Sequence, residues 1–171
     1  MKAFSNSPGR TLRTLWRGLH ALPGGRAVFS RLVGAAAPYT GSIGAKVLEL
    51  SPGYAKVELR DRRAVRNHLS CVHAVALVNL AEVTTGLALS IGLPDDARGI
   101  LKGIAIEYSK KARGRLVGEC RCEPPLTNER REMTIEGTIQ DKTGEVVARA
   151  TAHWLIGPSK SQTKSAVAAS K

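Results

Sequence analysis

The run from Val72 to Ile91 is apolar nearly all the way round; its strongly polar side chains are His73, Asn79, Glu82, Thr84, Thr85 and Ser90. A helix apolar on every side is a buried helix. Ser70 is an N-cap residue type just before the run, and Gly92-Leu93-Pro94 is a stop signal. The pattern predicts a helix over 71–91, about 30 Å long from the helical rise. It is too polar and too well capped to suit a membrane span.

Runs with a period of two flank this helix. Ile43, Ala45 and Val47 alternate before it, then Ala55, Val57 and Leu59, with Ser51-Pro52-Gly53 as the turn between them. After the helix come Ile104, Ile106 and Tyr108; Leu116, Gly118, Cys120 and Cys122; Met133, Ile135, Gly137 and Ile139; and Val146, Ala148, Ala150, Ala152 and Trp154. Asp141-Lys142-Thr143-Gly144 separates the last two runs as a hairpin loop. Two strands, one long helix and four strands predict an α+β fold. The economical arrangement is an antiparallel sheet curled around a central helix, each strand with one core face and one wetter face.

Within that helix one carboxylate, Glu82, stands among apolar neighbours. A buried carboxylate is costly unless it is paired, protonated or used. Asn79, Glu82 and Thr85 recur at i, i+3 and i+6 and predict a narrow polar stripe. Pairing of Glu82 with a buried Arg or Lys is the structural alternative to a chemical role.

Before residue 40 the chain carries Leu12, Leu15, Trp16, Leu19 and Leu22 at helical spacing, with Arg10, Arg13 and Arg17 on other faces. Pro23-Gly24-Gly25 ends that helix, and a second is predicted from about Arg26 to Ala36. These segments read as helices packed on the domain or over its ligand cleft. A basic amphipathic membrane-surface helix and an organellar transit peptide are the competing readings. From Pro158 onward the chain is Ser-, Lys- and Ala-rich without periodicity and reads as a disordered tail.

Charge follows the same division. The net charge is +12, but residues 1–40 hold six basic and no acidic side chains and residues 157–171 hold three basic and none acidic. The remainder has 17 basic and 14 acidic residues, so the strong basicity belongs to the ends. Aromatic residues are 4% of the chain and no stacking platform appears, which argues against nucleic-acid binding. Three cysteines and no secretory signal point to a reducing, cytoplasmic setting. Cys120 and Cys122 share a strand face and read as small buried hydrophobes. With His68, Cys71 and His73 they lack the paired spacing of a zinc site, and no metal is expected.

The order of elements and the segment from Arg66 to Glu82 resemble the hotdog-fold thioesterase superfamily, in particular its PaaI-type acyl-CoA thioesterases. Their signature is an Asn, a His-Gly-Gly six residues later, and an Asp or Glu nine residues after that His. Asn67, His73 and Glu82 stand at those spacings. The segment Ile106-Glu107-Tyr108-Ser109-Lys110-Lys111-Ala112-Arg113-Gly114-Arg115-Leu116 looks like the family's strand, basic pair, Ala-Arg-Gly, strand pattern. The resemblance covers about residues 40–156. It divides the chain into an N-terminal helical extension (1–39), a hotdog domain (40–157) and a basic tail (158–171). The family's Gly-Gly is Ala74-Val75 here, which resembles an uncharacterised bacterial hotdog subfamily more closely.

The resemblance implies acyl-CoA hydrolysis. The Ala74 N–H would polarise the thioester carbonyl, Glu82 would act as general base or nucleophile, and Asn67 would orient the water or the carboxylate. His73 completes the motif, although its residue type suits a structural first-turn role. Lys110, Lys111 and Arg113 would meet the coenzyme A phosphates; a solvated turn is their bland reading. No cofactor is implied beyond coenzyme A within the substrate. Ala74 and Glu82 lie eight residues apart, about 12 Å along one helix. One thioester cannot touch both in one protomer, so the site is expected to close across a homodimer, which could pair further into a tetramer. Membrane association is not expected. The alternative is a non-catalytic hotdog protein that binds acyl-CoA or another acyl ligand, which the bulkier Ala74-Val75 favours.

Overall fold

The computed structural model describes residues 7–159. The N-terminal part forms α1 (Pro8–Leu19), α2 (Gly25–Ala36) and the short α3 (Pro38–Ser42). Then come β1 (Lys46–Ser51), β2 (Tyr54–Arg60), a 3-10 turn at Arg63–Val65 and the long α4 (Ala74–Gly92). Strands β3 (Ala97–Tyr108), β4 (Arg115–Arg121), β5 (Arg131–Gln140) and β6 (Val146–Pro158) complete the fold. All six strands join one antiparallel sheet in the order β1-β2-β4-β5-β6-β3. Helix α4 touches every strand. This is the predicted α+β hotdog arrangement.

The apolar wrap of α4 explains its place. Leu77, Leu80, Leu87, Leu89 and Ile91 are buried against Val57, Leu59, Leu116, Ile135 and Ile139 from the sheet. Gly118 lets the helix approach, since a Cβ there would stand 2.6 Å from Thr84 Oγ1. α4 is long and apolar enough to cross a membrane by length and composition, but most of it is buried inside the domain.

Several boundaries differ from the sequence expectation. α4 starts at Ala74, not near 71, and its N-cap is His73, whose Nδ1 accepts from the Val75 N–H at 3.1 Å. Ser70 instead sits at φ 54° in the preceding loop. Residues 71–73 are held extended: Val72 bridges Arg66, its N–H donates to Ala112 O, and the His73 N–H donates to Val65 O. Ile43 is core but lies after α3, and β1 begins only at Lys46. β3 begins at Ala97, well before the run at Ile104. A register shift between Leu101 and Gly103 breaks its alternation and hides its first half.

The polar stripe does not form. Asn79 and Thr85 are buried, the first donating to Tyr39 O in α3 at 3.1 Å, the second to Ala81 O at 3.0 Å. Asn79 thus fastens α3 to α4.

The N-terminal helices pack on the domain, the first of the three readings of that region. Leu12 and Trp16 are buried, and Trp16 meets Phe29 of α2 edge-on. Arg13 donates to Ile91 O and Leu93 O and pairs with Asp95. A cation there satisfies orphan carbonyls and complements the negative end of the α4 dipole. The basic tail from residue 160 lies outside the described residues; Pro158 itself ends β6, and the Ser159 N–H donates to Asp96 O.

Candidate active site on the central helix

Chemistry-bearing groups gather at two places on α4. The first is its N-terminus. Helix geometry leaves the early N–H groups without intrahelical acceptors. Here Val75 N–H is taken by the His73 ring, and those of Ala76 and Leu77 by His73 O. The Ala74 N–H is left with no acceptor among the described residues. Ala74 is exposed, so a ligand oxygen can reach this donor at the positive end of the helix dipole.

Two loops frame that N–H. Asn67 organises one: its Oδ1 accepts from the Leu69 and Cys71 N–H groups and from Cys71 Sγ. Its oxygen therefore shapes the loop. The other loop, 109–114, is tied in through Ala112 O. Asp61 joins both, accepting from Arg66 Nε at 2.6 Å and from the Gly114 N–H at 3.0 Å. The hydrogen bond from Arg66 holds the Asp61 carboxyl below its ordinary range.

The three basic residues proposed for coenzyme phosphates part company here. Lys110 pairs with Asp141 and Glu145 of the β5–β6 hairpin, which hold its ammonium above the ordinary lysine range. Lys111 is exposed. Arg113 lies over the Leu69-Ser70 carbonyls, beside the loop that leads into α4. A residue not foreseen also stands at this end: the Tyr108 hydroxyl donates to Ala74 O at 3.2 Å. Burial pushes its phenol above the ordinary value.

The second place is Glu82. Half-buried Val78, Glu82, Gly86 and Ser90 recur along α4 and continue the line from exposed Val75. They form the strip of the helix that neither sheet nor N-terminal helices fully cover. The Glu82 carboxylate has no ion pair or hydrogen bond among the described residues, so the buried cation partner of the structural alternative is not found among them. It lines an open cavity of about 270 Å³ bounded by Leu12 of α1, Val33 of α2, Thr40 of α3, Val83 and Trp154.

Trp154 is the second residue that sequence reading missed, because its alternation marks it only as core. Its ring packs where Gly86 has no side chain; a Cβ there would stand 3.0 Å from the indole. Trp154 is 8% exposed, and its Nε1 has no acceptor among the described residues. A buried donor without a partner is costly and rare. The ring that carries it packs at Gly86, about one helical turn from Glu82 along α4.

Comparison with known proteins places this arrangement. Residues 25–156 match the family described as domain of unknown function DUF4442. The chain belongs to that family. The structural-genomics protein APC5556 is 28% identical, with 86% of this chain and 99% of that one aligned and a TM-score of 0.74. A probable thioesterase of unknown function from Pseudomonas aeruginosa is 22% identical, covering 80% of this chain and 97% of its own, with a TM-score of 0.69. A thioesterase family protein from Silicibacter pomeroyi is 19% identical, covering 75% and 96%, with a TM-score of 0.65. No curated protein matches the chain. These solved structures share the fold of the chain, the hotdog arrangement that the motif spacing led one to expect.

Within this DUF4442 chain the two places on α4 offer complementary chemistry. The Ala74 end supplies an unbonded donor at a helix N-terminus, suited to an oxyanion. The Glu82 face supplies an unpaired carboxylate in a partly desolvated groove, suited to proton abstraction. Eight residues of unbroken helix separate them, about 12 Å. Among the described residues no three His, Cys, Asp or Glu side chains gather in a metal-holding group.

Proposed function

We propose that this chain is an acyl-CoA thioesterase whose sites are completed across a two-fold homodimer. The observation that carries this reading is the pairing of an unpartnered Glu82 carboxylate with an unpartnered Ala74 N–H, too far apart on one α4 to serve one thioester. In the proposed site Glu82 faces Ala74 of the partner subunit. The N–H polarises the thioester carbonyl. Glu82 takes a proton from a water molecule as that water attacks the carbonyl carbon. The tetrahedral oxyanion, held by the N–H and the helix dipole, collapses and breaks the carbon–sulfur bond. The proton on Glu82 passes to the departing thiolate, giving free acid and coenzyme A. His73 sets the first turn that presents the N–H, Asn67 shapes the loop before it, and Lys111 and Arg113 receive the coenzyme phosphates while Lys110 braces the neighbouring hairpin.

A second reading is a non-catalytic acyl-CoA binder. Val75, 49% exposed beside the Ala74 N–H, favours it by crowding the approach.

The test is turnover on a panel of acyl-CoAs, with binding measured on the same panel. Glu82→Gln is expected to lower turnover at least about a hundredfold, or roughly 2.7 kcal/mol, while melting and ligand binding stay near wild type. Ala74→Pro removes the N–H at a position where helices accept proline, and His73 already has the extended backbone that precedes proline. It should cost about as much as losing an oxyanion donor, roughly a hundredfold or more. Mixing the two dead variants should restore roughly a quarter of wild-type activity, because each mixed dimer keeps one intact composite site. No recovery on mixing would sink the shared site, and binding without turnover on any thioester would select the second reading.

A further inference from the structure

We propose that the N-terminal helices enclose a chamber for a long aliphatic acyl chain; this rests on the reading of Glu82 as the place where the thioester sits. Besides the groove at Glu82, the molecule holds a cavity of about 570 Å³ between α2 and α3 on one side and β1, β2 and α4 on the other. That lies within the range of small-molecule sites, about 300–1,000 Å³. Val33, Thr40 and Val83 line both cavities, so the two are separated by shared walls rather than by a layer of protein.

The chemistry of the two spaces is graded. The Glu82 end holds the carboxylate beside the Trp154 ring. The second space is lined by Ala27, Val47 and Val57 among mainly apolar groups, with the charged side chains Arg31 and Lys46 in its lining and Arg31, Pro38 and Ser42 exposed. A ligand with one polar reacting end and a long apolar body matches that gradient. Its carbonyl would stay beside Glu82, and its chain would pass Val33 and Val83 into the space under α2. Burying methylenes there favours longer chains, by roughly fourfold in affinity for each methylene fully removed from water. The helices forming this roof come before the hotdog strands in the sequence, so the extension would set chain length while the hotdog core performs hydrolysis.

The experiment measures equilibrium binding and turnover of saturated acyl-CoAs of increasing length, with thioether analogues that cannot be hydrolysed as binding probes. Wild-type affinity is expected to rise with chain length. Ala27→Phe fills part of that space, and Val33→Phe narrows the shared wall; each should cut the long-to-short affinity ratio about tenfold, a little under two methylenes' worth of burial, and thermal melts confirm folding. If one variant does not fold, the other reads the same ratio. Glu82→Gln should keep the length dependence while losing turnover. Wild-type affinity that does not vary with chain length overturns the chamber, and so does an unchanged ratio in the folded variants. If length-dependent binding is found without hydrolysis of any thioester, the chamber stands and the catalytic reading falls. If hydrolysis is found with no length dependence, the catalytic reading stands and the chamber falls.

Discussion

The sheet has two edges, and the chain treats them differently. At β1 the edge is six residues long, irregular between Val47 and Glu49, and covered by α2. Ser30 Oγ accepts from the Val47 N–H at 2.9 Å and donates to Arg26 O, so one serine satisfies an edge donor and fastens the covering helix. At β3 the edge is twelve residues long, and among the described residues no strand lies on its outer side. Ile100 and Tyr108 are each 46% exposed along it. An open strand edge of that length is a template for pairing with another chain. In the proposed homodimer we place the second copy on β3: the N-terminal helices cover the β1 edge and leave the other open, on the side where β3 delivers Tyr108 to the Ala74 end of α4.

Placing charge on the open edge is the strongest challenge to that contrast. Ile100→Glu combined with Ala105→Glu sets like charges against their symmetry mates in the proposed dimer. The variant is expected to sediment as a folded monomer. Its turnover should fall about a hundredfold or more, since each protomer keeps Glu82 and Ala74 but no longer brings them together. A variant that stays dimeric with full activity would place the second copy elsewhere.

A smaller effect separates the loops at the Ala74 end from the closed edge. Asp61→Ala removes the acceptor for Arg66 and the Gly114 N–H. A loss of about 2 kcal/mol is expected, as for a hydrogen bond to a charged group. The pH dependence has a definite sign. Because the folded state holds Asp61 below its ordinary value, its contribution is fully present above the ordinary carboxylate range and is lost as pH falls through the folded value. Protection from hydrogen exchange, taken relative to the intrinsic rate at each pH, should therefore fall with acid in residues 66–72 before it falls in β1. Equal exchange in both regions would mean Asp61 is not what holds these loops.

The smallest effect comes from opening the closed edge. Ser30→Ala should cost about 1 kcal/mol and speed exchange of the Val47 amide, with assembly and turnover as in wild type. A change in oligomeric state would show that β1 also carries a protein contact.

Much of this molecule was legible in the chain. The apolar wrap from Val72 to Ile91 required a buried central helix, and the alternating runs required strands around it, because periodicity reports directly which faces leave water. The spacing of Asn67, His73 and Glu82 pointed to the family's fold, and the helical repeat of Leu12, Leu15, Trp16 and Leu19 marked out α1. The first half of β3 was hidden because the irregularity near Gly103 destroys alternation. Asn79 and Thr85 looked like partners of Glu82 because spacing along a helix is local. Whether such a residue meets solvent, a carbonyl of α3 or its own helix depends on segments distant in sequence. The same holds for Lys110, whose charge is taken up by a hairpin thirty-odd residues away, and for Trp154, whose ring packs on Gly86 and whose N–H has no acceptor among the described residues. The linear chain thus specified the elements and the chemical groups they carry, since both follow from local pattern. Folding decided which of those groups are left unpaired, because pairing is a property of neighbours that only the packed molecule brings together.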